Sequence, residues 1–486
     1  MEKVGYLKDH PQNIAGNEAQ AMNREDQAAG TPAQHQWIGE QPVGRLLLRF
    51  SLPAVLGMLV SMSYGVIDVI FVTNKFGDDA LTAVSLTVPI MLIMLSAAMM
   101  IGIGTNTLLS IRIGQNRIDE AERLMGVALC LFLLVTVLFT VFGLIFIEPL
   151  LHFFGATEVT MPMAKRFLRV IIFGTFFNQV SFGINSFLRS EGKVHIAMVT
   201  LMISAMINVV LSWFFLFVLD MEIEGTAYAN VISQAVSTVW VGWYYLSGRA
   251  LLQWRLKYIR FDFARAGQIC HAGMAPCLMN LVGCLLTALI NHQFLRYATP
   301  PHLTGENGIA AMRICISVFQ LVFAVILGIS QGGQPVVGYN IGAKNYARVA
   351  QTFSLMLKVV FVLSLVYTAI VLLLPHWVLY PFLRNTPGLT PLTERAICIF
   401  MLMFPGVGIT IITTNYFQAT GRGPIALLLT MTRQVLLLIP LYYILPHYFG
   451  FDGIWVATPV SDGIATAIAI CFAVYEFRRL RRLSES

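Results

Sequence analysis

The stretch FLRSEGKVHIA, residues 187–197, has a counterpart in YFQATGRGPIA, residues 416–426. Two more pairs align at nearly the same offset, namely IGQN (113–116) with IGAK (341–344), and EGTAYANVISQ (224–234) with DGIWVATPVSD (452–462). Motifs that recur in the same order at a near-constant spacing indicate an internally duplicated fold. The sequence therefore predicts two similar halves.

Hydropathy predicts what each half contains. Apolar residues make up 57% of the chain and charged residues 12%, whereas about 25% charge is usual in soluble domains. The apolar residues form blocks of about 20 or more, the length of a helix that crosses a bilayer. Twelve helices are predicted, over residues 46–73, 79–110, 121–148, 163–188, 194–219, 223–247, 266–298, 306–335, 348–373, 393–418, 424–446 and 452–478. The fold class is thus an all-α membrane protein with two six-helix bundles.

The even number of helices per half fixes how the halves are related. Both halves enter the membrane from the same side, so a pseudo-two-fold axis along the membrane normal relates them. The predicted organisation is a disordered cytoplasmic tail (1–43), an N-terminal lobe (44–247), a cytoplasmic inter-lobe linker (248–265), a C-terminal lobe (266–478) and a basic cytoplasmic tail (479–486). The first tail is polar and aperiodic, which is typical of disorder.

The positive charges indicate orientation. With the N-terminus in the cytoplasm, the inner loops and the C-terminal tail hold 17 Lys and Arg residues and the outer loops hold 6. Cytoplasmic loops of membrane proteins carry such an excess, so both termini are predicted to be cytoplasmic. The net charge of +7 then faces the lipid surface, and no nucleic-acid partner is predicted.

The cysteines and other reactive residues give no sign of an enzyme. All seven cysteines lie in or beside apolar segments, where they are expected to act as small core side chains rather than as disulfides. No histidine or carboxylate joins them at a metal-ligand spacing. We therefore predict no metal, no cofactor and no catalytic residues.

One carboxylate in the N-terminal half stands in an apolar run. Asp68 lies within SYGVIDVIFV (63–72), and a charge at the centre of a membrane helix costs roughly 2.5–3.5 kcal/mol. Asn208, Ser212 and Asn230 fall at a similar predicted depth on helices 5 and 6. Such polar groups often only join helices, and Asp68 itself could be a structural carboxylate. As the one titratable group of this cluster, it is also a candidate for proton or cation handling.

The C-terminal half has a different pair. Arg433 and Asp462 fall near mid-membrane on adjacent predicted helices, so a buried structural ion pair is expected, with a role in cargo binding as the alternative. The repeat places Asn291 opposite Asp68. Candidates for lining a cargo cavity are Asn178, Gln179, Asn291, Gln418, Arg433 and Asp462.

These elements resemble the multidrug and toxic compound extrusion (MATE) family, in its bacterial DinF/MepA-like branch. The resemblance covers nearly all of residues 44–478. It is carried by FSLPAVLGMLVSMSYGVIDVIFV (50–72), FLRSEGKVHIAM (187–198), INVVLSWFF (207–215), EGTAYANVISQ (224–234), ISQGGQPVVGYNIGAKNY (329–346), TRQVLLLIPLYYILP (432–446) and GIWVATPVSD (453–462).

The resemblance implies two lobes in a V shape, with cargo bound between them and exported by exchange for H+ or Na+. In this branch the N-lobe site consists of an Asp on helix 1, an Asn-x-x-x-Asp pair on helix 5 and a Thr on helix 6. Asp68 and Asn208 match by position, whereas Ser212 replaces the second Asp and Asn230 replaces the Thr. A single carboxylate favours H+ over Na+, which prefers several charged oxygen ligands.

The preferred function is a secondary transporter in the bacterial inner membrane, acting as a monomer on small organic cations or amphipathic drugs. A flippase for lipid-linked saccharides is the alternative within the same superfamily, and the small number of intramembrane arginines argues against it. A receptor or a structural membrane protein is a third reading, which the duplicated halves and the intramembrane charges disfavour.

Overall fold

The computed structural model describes residues 38–248, 250–297, 305–383 and 390–485. Within these ranges the regular secondary structure is entirely helical. The fold class predicted from apolar block length is therefore confirmed.

Twelve membrane-length helices, α1–α12, follow one another along the chain. Nine are single spans by length and apolarity among the described residues, and two are bent pairs. Glu224–Leu246, of 23 residues, completes the set. In order they are Val43–Ser63, Thr82–Gly114, Ile118–Ile145, Met161–Phe173 with Thr175–Ser190, Val194–Val218, Glu224–Leu246, Phe263–Arg296, Gly305–Gly342, Tyr346–Leu373, Thr390–Met401 with Phe404–Ala419, Gly423–Phe449 and Phe451–Glu485. Short helices Ile147–Phe153 and Pro375–Leu383 follow α3 and α9.

The two bent helices occupy equivalent places in the repeat. α4 bends by 52° between Phe173 and Thr175, and α10 bends by 45° between Met401 and Phe404. The offset of 229 residues read from the sequence maps Gly174 onto Met403. The duplication therefore extends from the helix count to the helix geometry.

The predicted break between the first two helices is wrong. Helical backbone runs without interruption over Val43–Gly114, although the polar residues at 74–79 suggested a loop. Polar residues indicate contact with water, but they do not by themselves end a helix. Here Lys75 stays within the helical stretch, and its ammonium pairs with the Asp220 carboxylate at 2.7 Å. The two ends of this stretch nevertheless lie along α8 in opposite directions, as Ser51 meets Gly332 and Val55 meets Gly328, while Gly114 meets Tyr339.

Glycines let the two lobes approach to backbone distance. A Cβ at Gly332 of α8 would lie 2.6 Å from the Cα of Ser51, and one at Gly338 would lie 2.7 Å from the Cβ of Ser110. Gly273 of α7 lies against the carbonyl of Met100 on α2. Small residues permit such helix contacts in membranes. These contacts hold the lobes together on the side that carries Val43, Gly114 and Gly342.

Two further glycine contacts between the lobes are related to each other by the repeat. Gly114 of the N-lobe lies against the carbonyl of Tyr339, and Gly342 of the C-lobe lies against the carbonyl of Ile111. An offset of 228 residues converts Gly114 into Gly342 and Ile111 into Tyr339. The lobes therefore meet with the pseudo-two-fold symmetry that the repeats predicted.

Part of the predicted N-terminal tail is folded. Residues 1–37 lie outside the described residues, but Ile38 is 1% exposed and packs with Phe50, Val194 and Val336. The Arg348 guanidinium of α9 donates hydrogen bonds to the carbonyls of Ile38, at 3.0 Å, and Gln41, at 2.6 Å. Disorder was therefore the wrong prediction for these residues, because composition averaged over the tail hid one short apolar anchor. At the other end, α12 continues to Glu485, through the predicted C-terminal tail.

The inter-lobe linker is anchored to the N-lobe by two buried carboxylates. Glu122 accepts from the backbone N–H of Gln253 at 3.1 Å and pairs with Arg255 at 3.0 Å. Glu191, which is 1% exposed, lies just after α4. Burial raises the pKa of the Glu191 carboxyl to about 8, and hydrogen bonds from Leu252, Tyr245 and Leu251 oppose this shift.

The glycine contacts predict a matched pair of substitutions in α7. Gly273→Ala places a Cβ against the Met100 carbonyl, and overpacking of this kind typically costs about 1–3 kcal/mol. Gly267 has open space around it, so Gly267→Ala gains helix propensity of about 1 kcal/mol without a clash. We expect a lower melting temperature in detergent for Gly273→Ala and an unchanged or higher one for Gly267→Ala. Equal melting temperatures would contradict the packing described here.

Glu191 predicts a pH dependence of stability. Its pKa in the fold, about 8, lies above the ordinary value of 4.5, so the folded state binds more protons between these values and loses stability as the pH rises through them. Glu191→Gln keeps a hydrogen-bonding side chain and should flatten this slope in thermal melts. The exposed Glu158→Gln serves as the charge-matched control. A slope unchanged in Glu191→Gln would exclude this carboxyl as the cause.

Candidate functional site

Asp68 is hydrogen-bonded to α5 in the N-lobe. The Ser212 hydroxyl donates to its Oδ1 at 2.8 Å. With the Asn208 amide oriented so that its nitrogen faces the carboxylate, that nitrogen donates to Oδ1 at 3.3 Å and to Oδ2 at 3.0 Å. Asn208 and Ser212 are one helical turn apart on the same face and are 1% and 0% exposed. Neutral donors therefore hold the carboxylate, and the described helix then widens into a π-turn over Phe214–Val218.

Asp68 opens on its other side to a cavity. The lining includes Gly65, Phe167, Thr226 and Asn230. A second cavity shares Asn230 and also holds Asn178, Gln179 and Gln234. Among the residues that the structure describes, Asp68 is the one charged side chain that lines either of them. The structure thus brings together Asp68, Asn208, Ser212 and Asn230, with Asn178 and Gln179 in the adjoining space.

Arg433 and Asp462 are paired in the C-lobe. The Arg433 Nε lies 2.7 Å from Oδ1 of Asp462, and both side chains are largely buried. The Ser461 hydroxyl donates to the Arg433 carbonyl at 2.9 Å. Arg433 belongs to a π-helical segment, Thr432–Leu438, and such segments often occur at functional sites. The pairing expected from the predicted depth of these two residues is therefore present.

The C-lobe cavity contains only part of the predicted set. Gln418 and Arg433 line it, with Asn280, Gln331, Gln334, Thr410, Thr414, Asn415, Thr430 and Gln434 as further polar residues. Asp462 is behind Arg433, outside the lining, and Asn291 lines none of the three cavities. The placement of Asn291 in a cargo cavity therefore stays a prediction.

Apart from Gln418, the amides of this cavity were missed because neutral side chains in apolar helices resemble helix-joining groups. Their spacing was a usable signal. Gln331 and Gln334 are three residues apart on α8, and Asn415 and Gln418 are three apart on α10, so each pair shares a helix face.

Two of these amides also join the lobes. Asn106 of α2 donates to Oε1 of Gln334 at 3.4 Å, and Gln334 donates to the Thr107 hydroxyl at 3.0 Å. The Arg189 guanidinium of α4 donates to Oε1 of Gln331. Gln331 and Gln334 therefore line the C-lobe cavity and also form polar contacts with the N-lobe.

Metal binding finds little support in the described parts of the chain. No group of three or more His, Cys, Asp or Glu side chains occurs there with metal-binding geometry. The Asp68 cluster offers one carboxylate with amide and hydroxyl oxygens. This set can hold a proton, whereas a tight cation cage usually has more anionic oxygens.

Comparison with known proteins fits this architecture. The MatE family model matches residues 53–214 and 277–444, one segment in each lobe. The chain belongs to the MatE family. This MATE chain is 25% identical to the multidrug export protein MepA of Staphylococcus haemolyticus, over 91% of the chain and 95% of that protein. It is 26% identical to an FAD transporter of Shewanella oneidensis, over 87% and 92%.

Solved structures give the same fold. A multidrug resistance MATE family transporter in an outward-facing conformation superposes with a TM-score of 0.84 at 24% identity, covering 92% of this chain and 98% of that one. A transporter of the same superfamily from Pyrococcus furiosus gives 0.84 at 24% identity, covering 93% and 98%. This MATE chain is thus a multi-pass membrane transporter with two six-helix lobes.

The Arg433–Asp462 pair predicts a non-additive response to substitution. Arg433→Leu or Asp462→Leu leaves one charge buried without its partner, which costs about 3–5 kcal/mol, whereas the double substitution removes both charges. We expect each single variant to melt at a lower temperature in detergent than the double variant. A double variant that is the least stable of the three would mean that the two charges do not stabilise each other.

Proposed function

We propose that this MATE protein exports small organic compounds across the bacterial inner membrane in exchange for H+, with Asp68 as the coupling residue. Both termini lie in the cytoplasm and the protein acts as a monomer. The observation that carries the proposal is the carboxylate of Asp68, held by Ser212 and Asn208 and open to a cavity. Relatives named as multidrug export proteins support the drug-like cargo.

The geometry supports a proton-dependent movement. The ionised carboxylate accepts hydrogen bonds from Ser212 and Asn208, and these bonds join the helical stretch of Asp68 to α5. Protonation removes the charge and turns one acceptor oxygen into a donor, so the attachment to α5 weakens. A local change of this kind can shift the balance between two arrangements of a lobe. Export then uses protons that enter from the outer side.

Na+ is the weaker candidate for the coupling ion. The family position that would supply a second carboxylate is Ser212. The described lining of the cavity adds the neutral oxygens of Thr226 and Asn230. Na+ binding is favoured by several oxygen ligands of negative charge. This difference in charge supports H+.

A saccharide-lipid flippase remains the second candidate within the superfamily. A cavity that carries a lipid diphosphate would need several cations to neutralise it. Among the described residues, Arg433 is the one cation that lines the three cavities, and a single cation does not neutralise a diphosphate. This shortage of positive charge supports export of smaller compounds.

Asp68→Asn tests the coupling. The substitution keeps the size and hydrogen bonding of the side chain but fixes it in a neutral state. We expect normal insertion and retained binding of ethidium, with transport driven by a pH gradient in proteoliposomes falling to the level of empty vesicles. Asp220→Asn, which changes an exposed carboxylate paired with Lys75, should transport like the wild type.

Wild-type transport by Asp68→Asn under the same gradient would remove Asp68 from the coupling mechanism and leave it as a structural carboxylate. If a Na+ gradient, but not a pH gradient, drives transport in the wild-type protein, the assignment of the proton is wrong while the export function stands.

A further inference from the structure

The charges of the two lobes are separated. Among the described residues, the N-lobe cavities are lined by Asp68 and neutral side chains, and the C-lobe cavity by Arg433 and neutral side chains. The charged groups that line the cavities of the two lobes therefore differ in sign.

Arg433 presents part of its guanidinium to the cavity. The pair with Asp462 is made through Nε, at 2.7 Å, and Asp462 is 4% exposed and outside the lining. An arginine has five N–H donors in a planar fork. No other hydrogen-bond partner of these donors occurs among the described residues. The edge of the fork that faces away from Asp462 is therefore available to an anionic oxygen group, which an arginine fork binds well.

The neighbouring residues complete a polar site. The Gln434 side-chain oxygen is buried and has no hydrogen-bond partner in the described part of the chain, so it can accept from an N–H or O–H of a ligand. The side chains of Thr414 and Asn415 line the same space. An unsatisfied buried acceptor is costly, and a donor on the ligand would relieve that cost.

Part of the lining is apolar. Met99 of α2 and Met279, Phe323 and Leu327 of the C-lobe line the same cavity. Aromatic and methionine side chains adapt to flat ring systems. The cavity thus combines a surface for a ring with one cation and a buried acceptor.

We propose that the C-lobe cavity binds cargo through an ionised carboxylate on an aromatic ring system, so that the preferred cargo is an organic anion or zwitterion rather than a simple cation. The carboxylate lies against Arg433, a donor group of the cargo reaches Gln434, and the ring lies against Met279 and Phe323. This inference rests on the proposed export function.

The test compares norfloxacin, a zwitterion with an ionised carboxylate, with norfloxacin methyl ester, a cation with the same ring. Both are titrated by fluorescence anisotropy against the purified full chain in lipid nanodiscs at neutral pH. We expect the wild type to bind the carboxylate form about tenfold more tightly, as one charge-assisted hydrogen-bonded contact allows. An ester that binds as tightly as the acid would overturn the proposal.

Variants test whether the preference for the carboxylate form depends on Arg433. The double change Arg433→Gln with Asp462→Asn removes both charges together, and it should bring the two affinities to parity by weakening norfloxacin alone. Arg313→Gln, which removes an exposed cation of α8 outside the cavity lining, should keep the full preference. A preference that survives the double change would place the carboxylate elsewhere.

Gln434→Glu provides an independent measurement, because it leaves the Arg433–Asp462 pair intact. The added carboxylate should weaken norfloxacin at least tenfold and leave the ester unchanged or tighter. Unchanged norfloxacin binding would count against the site even if the double variant failed to fold.

Transport separates this inference from the function on which it depends. Export of the ester in wild-type proteoliposomes, driven by a pH gradient and lost in Asp68→Asn, together with equal affinity for acid and ester, would sustain the export function and refute the carboxylate preference. If neither compound is bound or transported, the proposed export of such drugs fails and this inference fails with it.

Discussion

Close backbone contact between the lobes is the constraint on which the rest of the structure depends. Gly273, Gly332 and Gly338 leave no room for a Cβ where α7 and α8 cross α1 and α2. Because lipid offers no hydrophobic drive between helices, van der Waals contact at this distance supplies the association together with the hydrogen bonds between the lobes. It also fixes the position of Gln331 and Gln334, whose amides line the C-lobe cavity and reach the N-lobe.

The polar residues within the lobes divide into two systems of opposite charge. The N-lobe keeps a single carboxylate, Asp68, whose partners are neutral and which can therefore change charge without stranding a cation. The C-lobe keeps Arg433, whose charge is balanced from behind by Asp462. A proton bound in one lobe and a compound bound in the other can influence each other through the contact between the lobes. Gln334, which lines the C-lobe cavity, forms hydrogen bonds in that contact.

Much of this arrangement could be predicted from the sequence, because membrane helices are long, apolar and repeated here. The predicted depth of each residue in its helix was enough to place Asp68 near Asn208 and Ser212, and Arg433 near Asp462. What could not be predicted depends on tertiary contact. The polar residues near Lys75 suggested a loop, yet the helix continues. The burial of Glu191 just after α4 depends on residues of the linker that are distant in sequence.

The exchange of Gly114 with Gly342, and of Ile111 with Tyr339, has a consequence for the origin of the chain. A contact in which each side offers the same patch to the other is isologous, as in a symmetric homodimer. A half-length protein of six helices already carries both members of that contact, a glycine and a carbonyl three residues before it. Such a protein could pair with a second copy of itself in the same orientation.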